Sequence, residues 1–357
     1  WLLSSLYERI KRIMAYTTIN KSTDYFNTKL YTGNGSTNAI TGIGFQPDWI
    51  WAKNRDSSTN HYLVDVIRGT EYELRSNNTN HSAGDGNLMD SFDSDGFTLS
   101  SSGSMNTSSA NYVSWNWKAG GSGSANTDGS ISSTVSANTT SGFSIVKWTG
   151  SGANATIGHG LGVAPKLIIT KSLASGSNQE WCVGSDAIGW GNYMFLNETS
   201  AVQSGSTYWQ STAPTSSVFS VGTAGPTNTS SGDLIAYCFV EKTGFSKFGT
   251  YQGNSNANGA FIYTGFKPAI VITKQATGGN ANEVWGIRDN KRDIDNPITK
   301  SLIANATSAE GTTSTHYVDF LSNGFKIRTG TENALNTGYG YLYIAFAEAP
   351  LVGSNNV

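Results

Sequence analysis

Gly44-Phe45-Gln46-Pro47-Asp48-Trp49-Ile50-Trp51-Ala52-Lys53 returns twice in altered form, as Gly162-Val163-Ala164-Pro165-Lys166-Leu167-Ile168-Ile169-Thr170-Lys171 and as Gly265-Phe266-Lys267-Pro268-Ala269-Ile270-Val271-Ile272-Thr273-Lys274. Each stretch follows an opening segment: Lys29 to Gly33, Ile145 to Gly150, and Phe248 to Gly253. Each copy ends on an apolar or aromatic run, Tyr112 to Lys118, Leu234 to Glu241 and Leu342 to Glu348. The anchor prolines Pro47, Pro165 and Pro268 recur at intervals of 118 and 103 residues, the size of a whole globular module rather than a solenoid unit. From anchor proline to the last aromatic of the closing run (Trp117, Phe239, Phe346) the copies span 70, 74 and 78 residues. A shared strand register would require such even spacing. The three copies therefore control one another: a residue found in only one is not needed for the common fold.

Within a copy, a Gly/Asn/Ser turn such as Gly33 to Asn38 follows the opening strand, and the anchor strand begins just after its proline, where a missing amide donor costs no ladder bond. Two short strands follow, Tyr62 to Val66 and Tyr72 to Arg75 in copy one, then Asp95 to Leu99 and the closing strand. Six or seven short strands with turn residues every 8–12 positions predict an all-β chain of three tandem antiparallel β-sandwiches with a short N-terminal helix. The expected boundaries are 1–28 for helix and leader, 29–120, 142–243 and 244–350 for the modules, and 351–357 for a tail. The Gly/Ser tract 121–141 reads as a flexible linker, while the short join at Lys242 to Ser246 implies tighter packing of copies two and three. Trp1 to Ile13 carries a helical stripe, read either as a docking helix or as a leader before Met14.

Charged residues make up only 13% of the chain and the formal net charge is −2, with no Lys/Arg cluster beyond the first dozen residues, which argues against a nucleic-acid partner. No run reaches the length of a membrane span. Polarity comes from Ser, Thr, Asn and 41 Gly, leaving polymer or carbohydrate surfaces as partners. Cys182 and Cys238 lie in one copy only and read as buried free thiols, although a pair is open to them.

The acidic run Asp85, Asp90, Asp93, Asp95 lacks the spacing of a calcium loop, and copy three has Asn323 where copy one has Asp95, so a plain turn is expected. His159 has no counterpart in the other copies and reads as a turn residue; neither a catalytic triad nor a metal set is marked out. No carboxylate pair for glycoside cleavage persists across the copies. No cofactor is expected. Two groups remain as ligand-binding candidates. Arg288, Asp289 and Arg292 sit in the densest charge cluster, which either satisfies itself or presents paired donors and acceptors to sugar hydroxyls. Trp190, Tyr208 and Trp209 lie in turn-rich stretches, where they either stack on sugar rings or plug the end of a sandwich.

Tyr31 to Gly35, Gly44 to Arg55, Ser94 to Phe97 and His159 to Lys166 together resemble a family of phage structural proteins, generally described as tail or fibre proteins, with the likeness running from about Met14 to Pro350. The resemblance implies a virion protein of lectin-like sandwiches similar to concanavalin-type or SPRY modules, and it brings no catalytic residues with it. On this reading the expected function is a non-enzymatic tail fibre, spike or capsid-surface adhesin for host glycans. It would be a homo-oligomer among other virion subunits, exposed on the particle. A purely architectural decoration protein and a polysaccharide depolymerase are the alternatives.

Overall fold

The computed structural model describes residues 16–80, 83–84, 88–101, 103–176, 178–278, 283–312, 317–330 and 334–350. The helix expected over 1–13 and the tail 351–357 lie outside these residues. The chain is mostly β, with several antiparallel sheets and, among the described residues, only single-turn helices.

The repeat in sequence is a repeat in register. Closing strand Asn111–Trp117 lies between opening strand Phe26–Thr32 and anchor strand Trp49–Asn54, and His61–Asp65 follows at the edge. Closing strand Asp233–Phe239 lies in the same way between Phe143–Thr149 and Leu167–Ser172, and Gly340–Pro350 between Ser246–Gln252 and Phe266–Gln275. The second residue after each anchor proline faces the last closing aromatic: Trp49 opposite Trp117, Leu167 opposite Phe239, Ile270 opposite Phe346. Copy three differs at its proline. Its anchor strand starts earlier, at Phe266, and passes Pro268 through two register shifts, because a residue without an amide cannot keep the ladder in step.

A smaller sheet backs each large one: Asn38–Thr41, Met89–Asp93 and Gly96–Leu99 in copy one, Ala155–Gly158 with Val218–Val221 in copy two, and Phe261–Tyr263, Val318–Leu321 and Gly324–Ile327 in copy three. Alternate residues of the large sheets pack against these; Ile50, Ala52, Tyr31 and Tyr112 share a cluster with Ile40, Phe97 and Leu99. The other faces of all three large sheets meet in one common core. Both faces are thus buried, which is why Trp49 to Asn54 and Leu167 to Ser172 show no exposed alternation.

That core is aromatic. Trp49 stacks on Tyr237 at 4.2 Å, and Phe346 lies 5.4 Å from Phe26 and 5.6 Å from both Trp117 and Phe239. Rings from all three copies therefore touch, and Trp117, Phe239 and Phe346 are buried as expected.

Two boundaries change. The tract 121–141 is not a loose linker: Ser124–Asn126 and Ser133–Asn138 extend the sheet of copy two, with Ser136 Oγ accepting a bond from Gly120 N. The opening strand of copy one also begins at Phe26, inside the stretch assigned to the leader.

Each large sheet depends on the shared core, so Phe346→Ala should cost about 3–5 kcal/mol and lower a single unfolding transition of the whole chain. Differential scanning calorimetry checks this; a variant that melts copy three early and leaves an unshifted second transition would contradict it.

Candidate functional site

Two concave sites of this molecule lie where one copy meets the next. Three backbone amides mark equivalent positions: His61, Trp181 and Trp285 each donate N–H to an Asn side chain (Asn77, Asn197, Asn305) at 2.8–2.9 Å. From these positions each ring reaches a neighbouring copy. Trp181 Nε1 donates to Arg75 O at 2.9 Å, Trp285 Nε1 to Phe195 O at 2.9 Å, and His61 Nε2 to Ile303 O at 3.0 Å. Copy two thus holds copy one, copy three holds copy two, and copy one holds copy three. The ring is closed within one chain.

His61 sits where the other copies have Trp because its neighbour differs. Trp51 replaces Ile169 and Ile272, and its indole N–H needs an acceptor, which His61 Nδ1 provides at 2.9 Å. With Nδ1 accepting and Nε2 donating, the ring is neutral. Burial, aided by the Lys53 charge, holds its pKa well below the usual histidine value.

Buried lysines repeat the pattern. Lys171 Nζ donates to Thr79 O of copy one at 2.7 Å and also to Gln179 O, and Lys274 Nζ donates to Thr199 O of copy two at 2.7 Å. Lys53 turns instead to carbonyls of its own copy, Asn54 O and Ser57 O. Arg55 bridges to copy three, its Nη2 2.9 Å from Glu310 Oε1. Desolvation lowers the ammonium pKa to about 7 for Lys171 and about 8 for Lys53 and Lys274.

At the ligand-binding candidates, the structure corrects the expected exposure. Asp289 and Arg292 have fully buried side chains, paired at 2.5 Å, and Asp289 Oδ2 accepts Trp115 Nε1 of copy one at 3.1 Å. Asp65 and Arg68 do the same between copies one and two, with Asp65 Oδ2 accepting Tyr237 Oη at 2.8 Å. Arg288 is buried too, its Nη1 donating to Thr273 Oγ1 at 3.2 Å. These charges are spent on junctions and on the core, so they are not offered to sugar hydroxyls. Trp190 and Trp209, 6% and 0% exposed, meet edge to face at 5.7 Å under copy two's sheet. They fit because Gly184 leaves room: a Cβ there would lie 2.6 Å from Trp209 and 2.8 Å from Trp190. Tyr208 is half-buried and stacks on Tyr193 at 3.7 Å. The plug reading of these aromatics replaces the stacking one.

Other expectations find plain roles. Asp95 accepts the amides of Gly42 and Gly44 and, held by those bonds, has a lowered pKa, as a turn carboxylate does. His159 Nδ1 caps Leu161 N in its turn. Cys182 and Cys238 are both free and buried. Among the described residues no group of three or more His, Cys, Asp or Glu is placed to hold a metal, and no helix is long and apolar enough to cross a membrane.

Two related clefts are open at the junctions, and a third hollow of about 360 Å³ lies on copy two's own sheet beside Ser133, Lys147 and Asp233. The cleft between copies one and two, about 300 Å³, is lined by Ile67, Arg68 and Tyr72 against Lys147, Leu173 and Asp233, with Lys147 and Asp233 paired at 2.9 Å. The cleft between copies two and three, about 560 Å³, is lined by residues that include Ile188, Asn192, Val202, Thr250, Gln252 and Ala276. Its floor is bridged by Val202 N to Ala276 O at 3.0 Å. Here the buried pair is gone: Ser185 and Ile188 stand where the other copies have Asp and Arg, and Ile344 stands where they have the donors Tyr237 and Trp115. Donor, acceptor and counter-charge are lost together, so no buried group is stranded.

A protein family described as "Domain of unknown function (DUF7483)" matches residues 21–350. The chain belongs to that family. No match was found among curated proteins or among solved structures. The DUF7483 match spans all three copies and both open clefts.

Two outcomes test the junctions. A lysine pKa below its unfolded value means that the unfolded chain binds more protons between about pH 7 and about pH 10.4, so stability from this group rises with pH across that window. The melting temperature of the parent relative to Lys171→Met should therefore climb between pH 7 and 10; a flat difference would refute the buried ammonium. For His61 the sign gives loss on acidification, because below about pH 6.5 the unfolded ring takes a proton that the folded ring refuses. The double variant His61→Trp/Trp51→Ile, which copies the other two junctions, should fold and lose that acid limb in pH-dependent calorimetry.

Proposed function

We propose that this protein is a structural component of a phage virion, of the tail-fibre, spike or capsid-surface kind, and that it engages host glycans through three concanavalin- or SPRY-like β-sandwich modules locked into one body. The observation that carries the reading is the chemistry of its largest described cleft. Neutral hydrogen-bonding side chains (Asn192, Thr250, Gln252) stand beside apolar ones (Ile188, Val202), as a hydroxyl-rich, uncharged polymer requires. The ring of junctions supports it further, since a rigid body loses little entropy on binding. Weak single sites suffice when many copies are displayed on one particle. The depolymerase alternative gains no support, because no carboxylate lines that cleft. The architectural alternative is favoured by one feature: Phe261 and Tyr263, 46% and 48% exposed on an edge strand, offer apolar surface to another subunit.

Binding of the purified protein to host cells or to a glycan array should be saturable. It should change little when salt is raised from about 0.15 M to about 1 M, since screening acts on charges and not on neutral contacts. Release of shortened oligosaccharides would instead indicate an enzyme. No binding, together with particles that fall apart when the protein is deleted, would indicate architecture.

A further inference from the structure

We propose that the cleft between copies two and three is a binding site for an uncharged oligosaccharide, a proposal that rests on the glycan reading above and assigns it a place and a ligand class. The three junctions share one backbone plan, so the clefts can be compared position by position. The strand register sets Thr250 at the position of Lys147, Gly340 at that of Asp233, and Ala276 at those of Leu173 and Arg55. Ile188 replaces Arg68 and Arg292. In the junction of copies one and three, the large Arg55 is tied to Glu310. In that of copies one and two, Lys147 pairs with Asp233 along the copy-two wall of the mouth. Only between copies two and three is every one of these positions uncharged, two of them reduced to Ala and Gly. The result is the larger of the two clefts, with a volume in the range of small-ligand sites.

Packing alone does not account for this pattern. A junction that drops its charges merely to become apolar would fill the space with side chains, as a close-packed interior does. Here Thr250 and Gln252 stay exposed at the mouth. Asn192 is held in place by Nδ2 donating to Ile188 O at 2.6 Å and Oδ1 accepting from Ser204 Oγ at 2.7 Å, and Gln252 by Nε2 donating to Gly338 O at 2.8 Å. These amides are pre-positioned, and Ile188, Val202 and Ala276 supply a surface for the C–H face of a sugar ring. An anionic sugar would leave its charge without a cation here, which makes the site selective for neutral rings.

The test uses the full chain and two variants whose new residues the fold already carries at the equivalent place: Ala276→Leu, which narrows the cleft as Leu173 does, and Thr250→Lys, which adds the charge of Lys147 at an exposed position. Saturation-transfer NMR and titration calorimetry are run with neutral hexose and N-acetylhexosamine oligosaccharides and, separately, with uronate-containing ones, with melting curves as the folding control. The expected result is binding of the neutral set by the parent and its weakening by roughly tenfold or more in both variants, the scale of one or two lost polar contacts. Neutral binding that survives both variants overturns this site and leaves the glycan reading standing. Preference for the uronates overturns the ligand class. Absence of binding to every glycan by the parent overturns the glycan reading and this site with it. If Ala276→Leu fails to fold, Thr250→Lys alone decides.

Discussion

Everything in this molecule depends on the contact of Phe346, Trp117 and Phe239 at the centre of the ring. Each is the last aromatic of a closing strand, each strand is the middle of its sheet, and each sheet shows its inner face to the other two. A residue in that position answers to two kinds of neighbour at once: a cross-strand partner in its own copy, and rings that arrive from elsewhere in the chain. The even spacing from proline to aromatic follows from this double demand, because a one-residue slip would turn the aromatic away from the centre.

Around that centre the junctions show how a single chain departs from symmetry through matched changes of donor and acceptor. Where copy one has Trp51, the ring at position 61 becomes the acceptor His; where copy three has Ile344, the facing Asp and Arg become Ser185 and Ile188. The Trp51 change is answered within copy one, and the Ile344 change across the junction with copy two. The outcome is three seams of different polarity on one backbone plan, and the least polar seam is left with an open groove.

Much of the fold was legible in the sequence because the repeat supplied its own comparison: the register of the nine opening, anchor and closing strands, the burial of the closing aromatics and the turn role of Asp95 all follow from what the copies share. The misread residues are those whose burial is decided by partners far along the chain. Trp190 and Trp209 lie in loop-like composition, and only the absent side chain of Gly184 admits them beneath the sheet. Asp289 and Arg292 look like a solvated cluster until Trp115, from copy one, is set against them. The anchor lysines were visible as a recurring final letter of each motif. Their burial was not, since Lys171 is satisfied by a carbonyl near residue 79. Asn106, Asn228 and Asn336 also recur, and each clamps two loops of its own copy through side-chain bonds to backbone carbonyls and amides. The cleft residues escaped notice because their signal is what they lack relative to the other copies.

The placement of the closing strand bears on how the chain is made. In every copy it is synthesised last and yet lies between strands made about sixty to a hundred residues earlier, so no large sheet can be completed on the ribosome until its far end has emerged. For the ring as a whole this delay is greatest at Gly340–Pro350, without which copy three has no middle strand and Phe26, Trp117 and Phe239 lack the ring of Phe346. Until then the aromatic rings that pack on Phe346 stay open to water. A nascent chain of this design presents adhesive surface until Gly340–Pro350 emerges, and rapid docking of that strand protects it as much as final stability does.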